Sequence, residues 1–182
     1  MDQEPVIQAT MAWLSKFVIA HNICPFAKHE YDNKTIRYCV INSEDDMECL
    51  TSLIMECFRL DCDLEIQTTL LILPIGYQNF ETYLNFLSMA ENLLIEHGYE
   101  GIYQLASFHP DYYFDGAPPD DAANYTNRSP YPMLHLLRES SIEAALKSVP
   151  NPEHIPERNI DYTRQIGNEV LKTLLLSCYP TR

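Results

Sequence analysis

Apolar residues recur at two different spacings along the chain, and this predicts alternating helices and strands. Over residues 6–22 they recur every three to four positions, which is the helical repeat, and Asn22 can end this helix in a left-handed conformation. Residues 35–41, 66–74 and 102–107 are short apolar runs of strand length. The run 66–74 is almost continuously apolar, which is typical of a strand buried on both faces, usually in a parallel sheet.

Two further amphipathic helices separate these strands. Residues 43–46 (Ser-Glu-Asp-Asp) resemble a capping box that opens the first, and residues 79–97, with Gly98 as a stop, form the second. The inward side of the first would carry Met47, Leu50, Ile54, Cys57 and Phe58, and that of the second Phe80, Leu84, Leu87 and Leu94. The order α-β-α-β-α-β predicts a single α/β domain with a small, mostly parallel sheet of about three or more strands flanked by helices.

The periodicity disappears after Ser107. Residues 108–130 are rich in proline and aromatic residues, which predicts a long loop that is ordered, because the aromatic content argues against disorder. Pro132 can open a short helix to about Arg138, and residues 140–143 (Ser-Ser-Ile-Glu) are a capping box for another helix to residue 149. Residues 157–178 predict a closing helix, so the C-terminal part is helical, with an inward side of Ile166, Val170, Leu171, Leu174 and Leu175.

Composition narrows the class of protein. The 182 residues fit one domain covering 1–182, and 46% of them are hydrophobic, enough for a sizeable core. The net charge of −14 disfavours nucleic-acid and anionic-membrane partners, and no apolar run approaches the length of a membrane span. The N-terminus lacks signal-peptide features, and the six cysteines show no paired spacing. We therefore expect a cytoplasmic protein with free thiols, no metal and no cofactor.

Cys24 is the first candidate for chemistry. Pro25 forces Cys24 out of the helical conformation, so the thiol can act as the N-cap of a short turn through Lys28. Unpaired backbone N–H groups and the positive end of the helix dipole would lower its pKa there. The alternative is a buried cysteine beside a tight turn.

His109 is the second candidate, because it follows directly after a predicted strand. Ligands of open parallel sheets bind beyond the carboxyl ends of the strands. An imidazole at that place can act as an acid, a base or a ligand. The alternative is a hydrogen-bonded structural histidine.

Polar residues crowd into positions 124–139, just after the loop. An anion site here would use Asn124, Asn127, Arg128, Ser129, His135 and Arg138. The same side chains can instead fix the loop through local turns and caps. Arg158 lies in the first turn of a predicted helix, where a cation needs a partner: a carboxylate of the protein, or a ligand anion.

Five ordered blocks resemble one protein family along almost the whole chain. They are Asn22-Ile-Cys-Pro-Phe-Ala, Thr68-Thr-Leu-Leu, Gln104-Leu-Ala-Ser-Phe-His-Pro, residues 124–139 and Ile155-Pro-Glu-Arg-Asn-Ile. In these blocks the chain resembles the uncharacterised domain-of-unknown-function family 1415, found in bacteria and plants. The resemblance implies one domain with an intact set of motifs and implies no activity.

The functional hypotheses therefore rest on the residues and not on the resemblance. The leading one is an enzyme that acts on a small anionic metabolite by hydrolysis or group transfer, with Cys24 as nucleophile and His109 as general base or acid. Arg128, with Arg138 or Arg158, would hold the anion. The alternatives are a non-catalytic binding module for a nucleotide or phosphorylated metabolite, and a protein-interaction domain. The last would present the aromatic side chains Tyr112, Tyr113, Phe114 and Tyr131.

Overall fold

A four-stranded sheet forms the centre of the computed structural model, which describes residues 2–180. Its strands are Ile36–Val40 (β1), Thr68–Ile72 (β2), Tyr103–Phe108 (β3) and Met133–Arg138 (β4), in the order β1-β2-β4-β3. β1 and β2 are parallel, whereas β4 is antiparallel to both β2 and β3. The α/β class is confirmed, and the sheet is mixed because β4 is inserted between two strands that run the other way.

Helices cover both faces of this sheet. They are Glu4–Trp13 (α1), Ala27–Asn33 (α2), Asp46–Cys62 (α3), Phe80–Glu96 (α4), Glu139–Leu146 (α5), Ile155–Ile166 (α6) and Asn168–Leu176 (α7). α3 and α4 cover one face, where their apolar side chains pack on Leu71, Leu134 and Leu136. α1, α6 and α7 pack with Leu70, Ile72 and Met133 on the other face. No helix within residues 2–180 is both long and apolar enough to cross a membrane.

The inward sides of α3 and α4 are confirmed in part, since Cys57, Phe80 and Leu94 are buried as predicted. Met47 and Phe58 are exposed on α3, and Leu84 is exposed on α4. The buried residues are Cys49, Leu53, Glu56, Cys57 and Leu60 on α3 and Phe80, Tyr83, Phe86, Ala90 and Leu94 on α4. The cap also moves: Asp45, not Ser43, is the N-cap of α3, and its carboxylate accepts hydrogen bonds from the amides of residues 47 and 48.

The helix predicted for residues 132–138 is wrong, because this segment is strand β4. A short apolar run does not distinguish a strand from a buried helix. Here β2 and β3 flank it on both sides and pair with its backbone. The capping box at Ser140 is wrong for the same reason: α5 begins at Glu139, immediately after the strand, with Arg138 as its N-cap.

The ends of the chain show one confirmation and one correction. Asn22 has a φ of +51°, as predicted for a left-handed stop, although the first helix widens into a π-helix at Leu14–Ile19 before it ends. The closing helix is broken into α6 and α7 at Gly167, which has a φ of +87° and separates the two helical segments. Val170, predicted to face inward, is exposed.

Candidate functional site

Two adjoining cavities, of about 340 Å³ and 300 Å³, lie on the face of the sheet that α1 and α6 cover. We call them together the groove. They have common walls formed by Leu14, Cys24, Ala27, Leu70, Phe108 and His135. Their combined size is that of a site for a small organic molecule.

Strand register explains why Leu70, Phe108 and His135 face the same space. Leu70 on β2 and Ala106 on β3 are both directly opposite His135 on β4, so all three side chains point to one face. Phe108 is two residues beyond Ala106 and therefore lies on that face as well. The wall opposite the sheet comes from the π-helix and from the turn that contains Cys24. π-helical turns occur frequently at functional sites.

The 340 Å³ cavity has no charged residue among its described walls. Most of its walls are aliphatic or aromatic, and two of the polar ones are engaged elsewhere. The amide of Asn127 donates to the carbonyl of Ser107 (3.2 Å), and that of Asn159 donates to the carbonyl of Ile23 (2.7 Å). The chemistry left to this cavity therefore comes chiefly from Trp13, Cys24 and His135.

His135 is a neutral imidazole whose tautomer follows from its neighbours. The hydroxyl of Thr68 donates its one proton to the carbonyl of Leu136 (2.6 Å), so its oxygen accepts from Nε2–H of His135 (2.7 Å). Nδ1 then carries a lone pair, for which no hydrogen-bond partner exists within residues 2–180. Burial lowers the pKa of His135 to about 4, which keeps the ring uncharged at neutral pH.

Trp13, the only tryptophan of the chain, is 2% exposed and lines the 340 Å³ cavity. Its indole Nε1–H has no hydrogen-bond partner among the described residues. A buried donor without an acceptor destabilises a fold by about 1–3 kcal/mol. Trp13 is therefore the polar group of the groove that is least satisfied by the protein itself.

Cys24 lies in the turn between the π-helix and α2, where Phe26 rather than Cys24 is the N-cap. Burial raises the pKa of the Cys24 thiol, and hydrogen bonds from the amides of Phe26 and Ala27 lower it by less. The expected lowering of its pKa is therefore wrong, because desolvation outweighs the helix terminus. The thiol is protonated at neutral pH.

His109 lies on the opposite side of the sheet from Cys24. It is 0% exposed, and its ring packs against those of Phe80 and Tyr83 on the face covered by α4. Nδ1 accepts from the amide of Asp111 (3.0 Å), so Nε2–H donates to the carbonyl of Tyr77 (2.9 Å). Burial lowers its pKa. The structure does not bring Cys24 and His109 together, and the contacts of His109 are those of a structural histidine.

The polar residues before β4 hold the long loop together. Arg128 donates to the carbonyls of Tyr112 (3.0 Å) and Pro119 (2.7 Å), and its guanidinium lies 4.6 Å from the ring centre of Tyr125. Asn124 is fully buried and donates to the carbonyl of Pro118 (2.9 Å). Ser129, also buried, donates to the carbonyl of Tyr131 (2.6 Å). Each of these side chains therefore links parts of the loop backbone through hydrogen bonds.

The other two arginines of the predicted anion site are engaged in the same way, at separate places. Arg138 donates to the carbonyls of Leu60 and Ile66 on the α3 side of the sheet. Arg158 donates to the carbonyls of His21 (3.2 Å) and Asn22 (2.6 Å) at the end of the first helix. The carboxylate partner predicted for Arg158 is therefore wrong, because helix-end carbonyls take its place. Within residues 2–180 no three His, Cys, Asp or Glu side chains cluster as metal ligands would.

Most of the groove residues carry no functional signal in the sequence. Trp13 and Leu14 occupy positions expected for core residues of an amphipathic helix, and Phe108 looks like the last residue of a buried strand. Among the groove residues, the sequence indicates a role for Cys24, Asn127, His135 and Arg138 and for the loop aromatic Phe114, but in different sites. The convergence of Cys24 and His135 depends on β4 being a strand, which the sequence does not indicate.

The comparisons with known proteins identify the family. No curated protein and no solved structure is significantly similar to the chain. The sequence profile of DUF1415, described as a protein of unknown function, matches residues 5–173, which include the five blocks noted in the sequence. The chain therefore belongs to the DUF1415 family.

Proposed function

We propose that this protein binds a small, uncharged and largely apolar molecule in the groove. The observation that carries the proposal is the 340 Å³ cavity, whose described walls include no charged side chain. Moving an isolated charge into such a space is strongly unfavourable, whereas apolar surface gains about 25 cal/mol per Å² when it leaves water. The few polar groups present would orient the molecule.

The engaged arginines favour an uncharged ligand over the anionic metabolite that the sequence indicated. Arg128 and Arg158 would each have to release backbone carbonyls in order to bind an anion. In the 300 Å³ cavity the charged residues are Glu30 and Arg138. Glu30 accepts from the hydroxyl of Thr35, and the guanidinium of Arg138 donates to carbonyls on the other face of the sheet.

A panel of small neutral aromatic and aliphatic compounds tests the proposal. Compounds that fill the groove raise the melting temperature, because they bind the folded state alone. The variant Ala27→Phe should abolish that rise, since Ala27 lines both cavities and the larger side chain would occupy part of each. The matched control Ala144→Phe, at an exposed position outside the groove, should keep it. Equal responses of the two variants would contradict the proposal.

Thiol chemistry in the groove is the second candidate function. Its support is that Cys24 and His135 line both cavities, and that Nδ1 of His135 has a lone pair. With an apolar ester, the Cys24 sulfur would form a bond to the acyl carbon and pass its proton to His135. The ester C–O bond would then break, and the alcohol would take that proton.

Mass spectrometry after incubation with phenyl butyrate tests this second candidate. An acyl group on Cys24, lost in Cys24→Ser and slowed in His135→Gln, supports it. Binding of the ester without acylation would leave binding as the function.

The protein-interaction alternative has the least support. Tyr112 and Tyr113 pack against the ring of Phe80, and Phe114 against that of Tyr112. Tyr131 packs against Tyr179, and all four loop aromatics are half-buried. An aromatic contact patch needs side chains that are free to meet a partner.

A further inference from the structure

The indole N–H of Trp13 is a buried donor that the protein leaves unpaired. Native proteins pair nearly all such groups, and an exception calls for a specific explanation. Trp13 lines a cavity with no charged wall, and the nearby amides of Asn127 and Asn159 donate to backbone carbonyls. Because the nitrogen itself is closed to solvent while Trp13 lines the cavity, an acceptor on a molecule in the cavity would pair with this N–H once the indole turns toward it.

Among the described residues, the ring of Phe108 is a competing partner. It meets the indole of Trp13 edge to face, with ring centres 5.2 Å apart. An N–H directed at an aromatic face gains only a weak interaction. Such a contact would leave the cavity without the indole donor, and it predicts an upfield position of the indole proton resonance.

We propose that the N–H of Trp13 donates a hydrogen bond to the ligand, so that the ligand class is uncharged apolar molecules bearing a carbonyl, ether or hydroxyl oxygen. This rests on the proposed function of the groove and adds the identity of the group that selects the ligand. A site that hydrogen-bonds its ligand rejects the analogue lacking that atom, because the buried donor is left unpaired. The unpaired nitrogen of His135 in the same cavity would in addition accept from a hydroxyl-bearing ligand.

Acetophenone and ethylbenzene form a matched pair of probes for this donor. They have nearly the same size and shape, and only acetophenone carries an acceptor oxygen. We expect both to bind the wild-type protein, with acetophenone tighter by about fivefold or more. In Trp13→Phe, which keeps an aromatic ring and removes the donor, that preference should disappear.

Nuclear magnetic resonance detects the indole N–H of Trp13 directly in the wild-type protein. The single tryptophan gives a single indole N–H signal. We expect acetophenone to move its proton resonance downfield and ethylbenzene to leave it without a downfield shift. This measurement does not depend on whether Trp13→Phe folds.

The outcomes separate the two proposals. If neither probe binds, the proposed function of the groove is wrong. If both bind equally and the indole resonance keeps an upfield position, typical of a proton over a ring, the function stands. The indole N–H of Trp13 then points at the ring of Phe108, and the inference about the ligand is overturned.

Discussion

Replacing Arg128 tests whether this side chain stabilises the loop or binds a ligand. The change Arg128→Ala removes donors to the carbonyls of Tyr112 and Pro119 and the contact with the ring of Tyr125. A hydrogen bond from a charged group stabilises a fold by about 1.5–3 kcal/mol, and a cation–π contact adds about 0.5–1 kcal/mol. Arg128 is half-buried, so the lower ends of these ranges apply. The expected loss in free energy of unfolding is about 2–4 kcal/mol.

Thermal melts measure this loss. One kcal/mol corresponds to ~2–4 °C for a domain of this size, so Arg128→Ala should lower the melting temperature by roughly 5–15 °C. Arg128→Lys should recover only part of it, because an ammonium cannot reproduce the fork of donors. Lys172→Ala removes the same charge at an exposed position and should change stability by less than about 0.5 kcal/mol. An unaltered melting temperature for Arg128→Ala, with loss of stabilisation by inorganic phosphate, would refute the reasoning and restore the anion site.

Three further predictions follow from burial and backbone geometry. Iodoacetamide should label the exposed Cys62 before Cys24 near neutral pH, since burial raises the pKa of the Cys24 thiol; faster labelling of Cys24 would contradict this. Stability should fall as the pH drops from about 6.5 to about 4, because the unfolded chain protonates His135 while the folded chain, with a pKa of about 4, does not. Denaturant melts of His135→Gln should lose up to about 3 kcal/mol of this pH dependence, and an unchanged slope would count against the buried neutral ring. Gly76→Ala should destabilise more than Gly116→Ala in the same melts: both have positive φ, +85° and +73°, but only at Gly76 would the added Cβ lie 2.6 Å from a neighbouring one.

Local patterns were sufficient for most elements of the fold. The strands predicted at 35–41, 66–74 and 102–107 are confirmed as β1, β2 and β3, because apolar runs of that length between turn residues are characteristic of strands. The helix predicted at 79–97 is confirmed as α4, and the structure adds that Asn79 is its N-cap, whose side-chain oxygen accepts from the amide of Thr82.

β4 shows where local reasoning stops. The segment 133–138 is apolar on both faces, and Pro132 before it is equally compatible with a helix start. Its strand conformation comes from pairing with β2 and β3, which are distant in sequence. His135 reaches the groove only because residues 133–138 form a strand. Sequence patterns that do not predict this strand therefore do not predict the groove either.

The charged candidates illustrate a second limit. Arginine near a helix start or in a loop indicates either a ligand or a structural partner, and the sequence offers both. Arg128 and Arg158 donate to backbone carbonyls, so their partners are structural ones. Which carbonyls remain unpaired and need such a donor depends on the tertiary fold.

A crystal structure of the protein soaked in bromobenzene tests the central claim most directly. Bromobenzene is neutral and apolar, and its bromine can be located by anomalous scattering. We predict a bromine peak inside the groove, within contact distance of Leu70 and Phe108, and no such peak in Ala27→Phe. Absence of the peak in the wild-type protein, at concentrations that stabilise it in solution, would contradict the account.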